Sequence, residues 1–154
     1  MGIITKEMQE NMSPKVAYDL LVDGNKRFVS NVTKRRDLLM LASETSTYQY
    51  PIAITLSCID SRTSMELIFD QGIGHIFSAR VAGNVVSEDI LGSIEFACKL
   101  AGSKLIVVLG HSSCGAVKGA CDNAELGNLT GLLEKIKPAV TAEKTVTERR
   151  DSSN

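Results

Sequence analysis

Pro51-Ile52-Ala53-Ile54-Thr55-Leu56-Ser57-Cys58-Ile59-Asp60-Ser61-Arg62 is the stretch that decides the fold. Its first half, Ile52 to Leu56, is an unbroken run dominated by apolar and β-branched residues, without the polar alternation of a half-exposed strand. Such a run predicts a strand buried on both faces, as in a parallel sheet. It stops at Ser57-Cys58, so a thiol sits where the strand ends. Working outward, His75 to Val81 reads as a second strand and Leu105 to Leu109 as a third, the latter stopping at Gly110-His111. Ser64 to Gln71, closed by Gly72, reads as a short helix. Glu88 to Leu100, ending near Gly102, reads as a longer one with Ile90, Leu91, Ile94, Ala97, Cys98 and Ala101 along one side. Strands alternating with helices imply right-handed crossovers and an α/β fold, a mostly parallel β-sheet flanked by helices on both faces.

The flanks complete one domain over 1–154. Ser13-Pro14 offers a cap and a first-turn proline, and Ala17, Leu20, Leu21, Gly24 and Phe28 recur at helical spacing, so 14–30 reads as an amphipathic helix. Residues 31–50 are polar and irregular, and the basic run Lys34-Arg35-Arg36 is expected to be a solvated patch. Ala116 to Cys121 reads as a helix, Leu129 to Val140 as another interrupted by Pro138, and about 141–154 as a polar tail.

The 154 residues are 44% hydrophobic and 23% charged with a net charge of −1, a balance that argues against nucleic acid as a partner. No run is long enough to span a bilayer and no apolar segment follows Met1, so a cytoplasmic protein without membrane attachment is expected. Four cysteines without a secretory signal are better read as reduced thiols or metal ligands than as disulfides.

Ligands in open parallel sheets gather beyond the carboxyl ends of the strands. His111-Ser112-Ser113-Cys114 puts a nitrogen and a sulfur donor three residues apart at such an end, and the fold carries Cys58, at the end of another strand, to the same edge. Catalytic zinc takes three such ligands and keeps a fourth position open. Asp60 and Arg62, two apart in the loop after Cys58, can form a bidentate charge-assisted pair.

The strings Cys58-Ile59-Asp60-Ser61-Arg62, Arg80-Val81-Ala82-Gly83-Asn84, Ser93-Ile94-Glu95-Phe96-Ala97 and Gly110-His111-Ser112-Ser113-Cys114-Gly115-Ala116-Val117 resemble, in order and spacing, the signature blocks of β-class carbonic anhydrases. The resemblance runs from about the first helix to about Val140. It implies a β-carbonic-anhydrase-like fold lacking the C-terminal part of the family fold, Zn²⁺ as cofactor, CO2 and bicarbonate as substrates, and a homodimer or multiple of dimers. It implies Cys58, His111 and Cys114 as metal ligands and Asp60 with Arg62 as the catalytic dyad. Asp60 would orient the nucleophile and Arg62 would keep Asp60 ionised and off the metal; in some family members the equivalent Asp leaves its Arg for the metal. It also implies Gln49, Phe77, Ala82, Phe96 and Gly115 as substrate-binding residues, although the family often has Tyr at Phe96.

The residues leave rivals open: a related zinc hydrolase acting on CS2 or COS, a catalytically impaired zinc-binding variant, and a thiol enzyme built on Cys58. His75 is expected to be an exposed polar residue at a strand start, Cys98 a buried small hydrophobe, and Cys121 a spare thiol.

Overall fold

The computed structural model describes residues 2–153. Three parallel strands, β1 (Ala53–Ser57), β2 (Ile76–Arg80) and β3 (Leu105–Leu109), form a sheet in the order β2-β1-β3. Ala53 is paired with Ile76 on one side and Leu105 on the other, and Ser57 with Arg80 and Leu109. All three strands therefore end level at one edge. β1 is buried at every position, as its apolar composition requires of a central strand.

Eight α-helices surround the sheet among the described residues: α1 (Lys6–Glu10), α2 (Pro14–Val29), α3 (Leu38–Glu44), α4 (Met65–Ile68), α5 (Glu88–Glu95), α6 (Gly115–Cys121), α7 (Gly127–Glu134) and α8 (Lys137–Ala142). The Ser13 hydroxyl caps α2 by accepting from the Val16 amide at 3.3 Å. α2 presses Ala17 and Leu21 onto one sheet face, in a core with Ile52, Ala53, Met65 and Ile76. Gly24 is obligatory there: a Cβ at this position would stand 1.8 Å from the Phe69 carbonyl oxygen. Buried Gln9 on α1 donates to the carbonyls of Pro51 (2.8 Å) and Ala101 (2.9 Å), closing the opposite edge of the sheet. A second core, Val85, Ala120, Leu133 and Ile136, joins α6, α7 and α8.

Several expectations are corrected. Residues 31–50 contain α3, capped by the Asp37 carboxylate on the Met40 amide at 2.9 Å and anchored by buried Leu41. Arg36 is not solvated: with Arg27 it clasps the carboxylate of buried Asp70, each at 2.5 Å. The break expected at Pro138 falls before it, and Pro138 occupies the first turn of α8, where its missing N–H costs nothing. His75 is only 1% exposed. Its Nδ1 accepts from the Gly72 amide (3.2 Å) and its Nε2 meets the Gly2 carbonyl (2.9 Å). Burial, the largest influence, lowers its pKa and keeps the ring neutral.

The helix expected over 88–100 is α-helical only to Glu95 and continues over Phe96–Leu100 as a wider π-type turn, with the Ala101 amide bonded to the Phe96 carbonyl at 2.9 Å. Its apolar side is buried only at Ala97: α5 has no buried residue, Cys98 is half-buried, and Leu91, Phe96 and Leu100 are exposed. The sheet face beneath it is correspondingly open, with Val108 60% exposed beside exposed Ile106. Helices thus flank both faces, but the face under α2 is the better covered.

Candidate metal centre

Cys58 directly follows β1 and Cys114 is the N-cap residue of α6, which is separated from the end of β3 by the five residues 110–114. Both sulfurs are buried and stand 3.9 Å apart. One ring nitrogen of His111 completes a group whose three donor atoms lie within 4.8 Å of one another. Ser113 bends the intervening turn through the left-handed region (φ 56°), an uncommon conformation for a residue with a side chain, and so brings His111 and Cys114 round to the same point.

The donor set fits zinc on three grounds. A tetrahedral ion with Zn–S bonds of about 2.3 Å separates two sulfurs by about 3.8 Å, close to the spacing found. His111 Nδ1 lies 2.9 Å from the Ser112 carbonyl, and that bond puts its proton on Nδ1 and leaves Nε2 with a free lone pair. His111 Nε2 is moreover a buried nitrogen with no hydrogen-bond partner. The imidazole still shares charge with the Cys58 sulfur, which, against burial, raises the His111 pKa together with Ser112 and Asp60. Burial pushes the Cys58 thiol up, but His111, the Gly83 and Asp60 amides and Cys114 outweigh it and bring it to about 7. A thiol so placed is readily available as thiolate, the form that binds metal.

Asp60 and Arg62 are paired as the sequence suggests. Arg62 Nη2 donates to Asp60 Oδ2 at 2.8 Å, Nε to Oδ1 at 3.0 Å, and the Arg62 amide to Oδ1 at 2.9 Å. These bonds hold the Asp60 carboxyl well below the usual carboxylate range. Asp60 Oδ2 is 3.8 Å from His111 Nδ1, so the dyad borders the donor group with its carboxylate committed to Arg62.

Two supports were not legible as such. The Gly83 amide donates to the Cys58 sulfur at 3.3 Å. Arg80, at the end of β2, donates through Nε to the Cys58 carbonyl at 3.0 Å and through Nη2 to the Asp60 carbonyl at 2.5 Å, fixing the loop between ligand and dyad. Both residues lie in the Arg80-Val81-Ala82-Gly83-Asn84 block, which is the signal that could have found them.

A hollow of about 290 Å³ opens on the site, lined by Cys58, Asp60, Ala82, His111 and Gly115 together with Ile59, Ala116, Gly119, Leu129 and Leu133. Ala82 and Gly115 thus line the hollow beside the donor group, and Leu129 and Leu133 of α7 add an apolar wall. Phe77 and Phe96 are not in this hollow. They meet edge to face, 6.3 Å between centroids, in a separate hollow between the open sheet face and α5. Gln49 is exposed and precedes β1, at the opposite end of the strand from Cys58. Five strand residues put it on the order of 17 Å away along the sheet. Cys121 faces another hollow and is no part of the donor group.

Comparison with known proteins agrees with this geometry. Residues 53–154 match the family model described as carbonic anhydrase. A carbonic anhydrase from Mycolicibacterium smegmatis is 41% identical over 137 residues, which cover 84% of this chain and 66% of the relative. This chain therefore spans just under two thirds of that relative's length. Among solved structures, a Coccomyxa β-carbonic anhydrase in complex with acetazolamide superposes with a TM-score of 0.61 at 22% identity, over 86% of this chain and 62% of that one. A tetrameric β-carbonic anhydrase from Sordaria macrospora does so with a TM-score of 0.55 at 22% identity, over 86% of this chain and 72% of that one. At such identities the superpositions bear on the fold.

Proposed function

This chain belongs to the β-class carbonic anhydrase family, and on that premise we propose that it catalyses the zinc-dependent reversible hydration of CO2 to bicarbonate and a proton. The observation that carries the reading is the donor triad of Cys58, His111 and Cys114, spaced for one tetrahedral ion and bordered by a carboxylate already committed to an arginine.

Zinc held by these three residues would supply a Lewis acid able to make water nucleophilic near neutral pH. Two thiolates and one imidazole donate more charge than three imidazoles, so activity should rise toward mildly alkaline pH. The chain's own groups do the rest. Asp60, kept ionised by Arg62, accepts a hydrogen bond from the attacking oxygen and so directs a lone pair at the CO2 carbon. Arg80 holds the Asp60 main chain in place. Ala82, Ala116, Leu129 and Leu133 give the hollow an apolar wall suited to a small, uncharged, apolar substrate. The Gly115 amide, at the start of α6, is the nearby donor for the bicarbonate anion.

Gln49, Phe77 and Phe96 could serve as substrate walls only from a second copy, since within one chain they lie away from the metal hollow. The open face carrying exposed Leu91, Phe96, Ile106 and Val108, and the unpaired outer edge of β3, suit such pairing, and we propose a homodimer or multiple of dimers. No helix among the described residues is long and apolar enough to cross a membrane, and all four cysteines are free, in keeping with a reducing cytoplasm.

The test is metal content and stopped-flow CO2 hydration on the same purified chain. One zinc per chain with measurable hydration supports the reading, and hydration without bound metal overturns it. One zinc without hydration of CO2, or turnover of CS2 or COS, favours the second reading, an altered or impaired relative. The open sheet face is what gives that reading weight.

A further inference from the structure

We propose that Cys58 and Cys114 are also a modification site: in the metal-free protein a peroxide converts them into an intramolecular disulfide that dismantles the metal centre. This rests on the metal reading above, because it makes zinc the guard of the two thiols.

The geometry is that of an attacking and a resolving thiol. The sulfurs are in contact at 3.9 Å, and Cys58 and Cys114 form the one such cysteine pair among the described residues. A disulfide bond is about 2.05 Å long, so closure requires roughly 1.9 Å of approach, shared between two side chains on separate elements. Cys58 lines the hollow and receives the Gly83 amide, whereas Cys114, as buried as Cys58, sits at the cap of α6 and is not part of that lining. A small oxidant entering the hollow meets Cys58 first. Its sulfur attacks one peroxide oxygen, the O–O bond breaks, and a sulfenic acid and one water result. The Cys114 sulfur then forms the S–S bond, and the sulfenic oxygen leaves as a second water with the remaining thiol proton. Two thiols are oxidised by two electrons and hydrogen peroxide is reduced to two waters. Cys98, in the π-type turn after α5, and Cys121, at the far end of α6, are half-buried, with no sulfur partner of this kind.

The product would tie the end of β1 to the start of α6 and withdraw two of the three donors, leaving His111 alone. With zinc in place both sulfurs are engaged, and the same peroxide should act slowly. A resolving thiol this close also protects Cys58 from irreversible oxidation.

The experiment uses the full chain carrying Cys98→Ser and Cys121→Ser, positions outside the site, in parallel with the unaltered chain. Zinc stoichiometry is measured first on reduced protein. Metal-free and zinc-loaded samples then receive one equivalent of hydrogen peroxide, followed by thiol counting, intact mass and non-reducing peptide mapping. The expected result is loss of both thiols in the metal-free sample, a Cys58–Cys114 peptide, recovery of zinc binding with dithiothreitol, and at least tenfold slower loss in the zinc-loaded sample. Cys114→Ser should instead leave Cys58 as sulfenic acid, which a second equivalent of peroxide carries on to sulfinic acid. In the unaltered chain the same pair should dominate, and in denaturant that preference should vanish. Over-oxidised Cys58 beside free Cys114, cross-links through Cys98 or Cys121 in folded protein, or equal rates with and without zinc would overturn the proposal. Reduced protein that binds no zinc would instead sink the metal reading, and mass mapping still reports on the thiol pair.

Discussion

Gly83→Ala tests how far the metal centre depends on one main-chain amide. Gly83 sits in the left-handed region (φ 66°), and a Cβ there would stand 2.6 Å from Ile136 Cδ1 and 3.2 Å from the Ala116 Cβ. Holding alanine in that conformation costs roughly 1 kcal/mol, the lower end for a residue with a Cβ. Displacing Ile136, buried in the second core, adds about 1–3 kcal/mol. The Ile136 contact is with the far end of a side chain and can give; the Ala116 contact is with a short, inflexible one and cannot. A destabilisation of about 2–4 kcal/mol is expected. The chain can relieve it only by moving residue 83, which draws its amide from the Cys58 sulfur, now 3.3 Å away. Zinc affinity should therefore fall about 10–100-fold, as when an outer hydrogen bond to a metal ligand is lost. Urea unfolding of the metal-free variant reads the first quantity, and competition with a chromogenic chelator reads the second. Unchanged zinc affinity in a variant destabilised as expected would refute the idea that this amide tunes the ligand; a loss below about 0.5 kcal/mol would refute the packing argument.

Three further outcomes are expected. Gly24→Ala should destabilise by more than about 3 kcal/mol despite alanine's better helix propensity, because its Cβ would meet main-chain carbonyl rather than side chain; urea unfolding at the wild-type midpoint decides it. The Asp70 carboxyl, which burial would raise but Arg36 and Arg27 bring to about 2, has a folded pKa below its ordinary 3.8. Its contribution, on the order of 2 kcal/mol, is therefore complete above about pH 4 and lost as pH falls through about 2, so Asp70→Asn should be less stable at pH 7 and lose less than wild type on acidification. Asp60→Asn should leave zinc content unchanged while lowering kcat/KM for CO2 at least tenfold at pH 8; full activity would remove Asp60 from the mechanism.

The three strands, α2 and the donor residues were legible in the sequence because each rests on a local pattern. Ile52 to Leu56 and Leu105 to Leu109 are short apolar, β-branched runs that read as strands, although Ile106 and Val108 prove exposed, and a proline after serine signals the start of α2. The order of strands and helices then carries Cys58 and His111 to one edge, whatever the details of packing. α1 and α3 escaped because they are short and bury a single residue each, Gln9 and Leu41, too few to produce a helical period.

What only the tertiary structure decided depends on residues far apart in the chain. Exposure of His75 cannot be read from its glycine-rich turn, since it is set by the N-terminal segment laid over it. Nor could the basic run reveal that Arg36 turns inward, because its partner Asp70 belongs to the turn after α4. The separation of Phe77 and Phe96 from the metal hollow is likewise a matter of which side of β2 Phe77 faces and where the helical segment carrying Phe96 packs. Local sequence determines periodicity, capping and the chemical identity of the ligands; distances between donors, and which face finds a cover, follow from long-range packing.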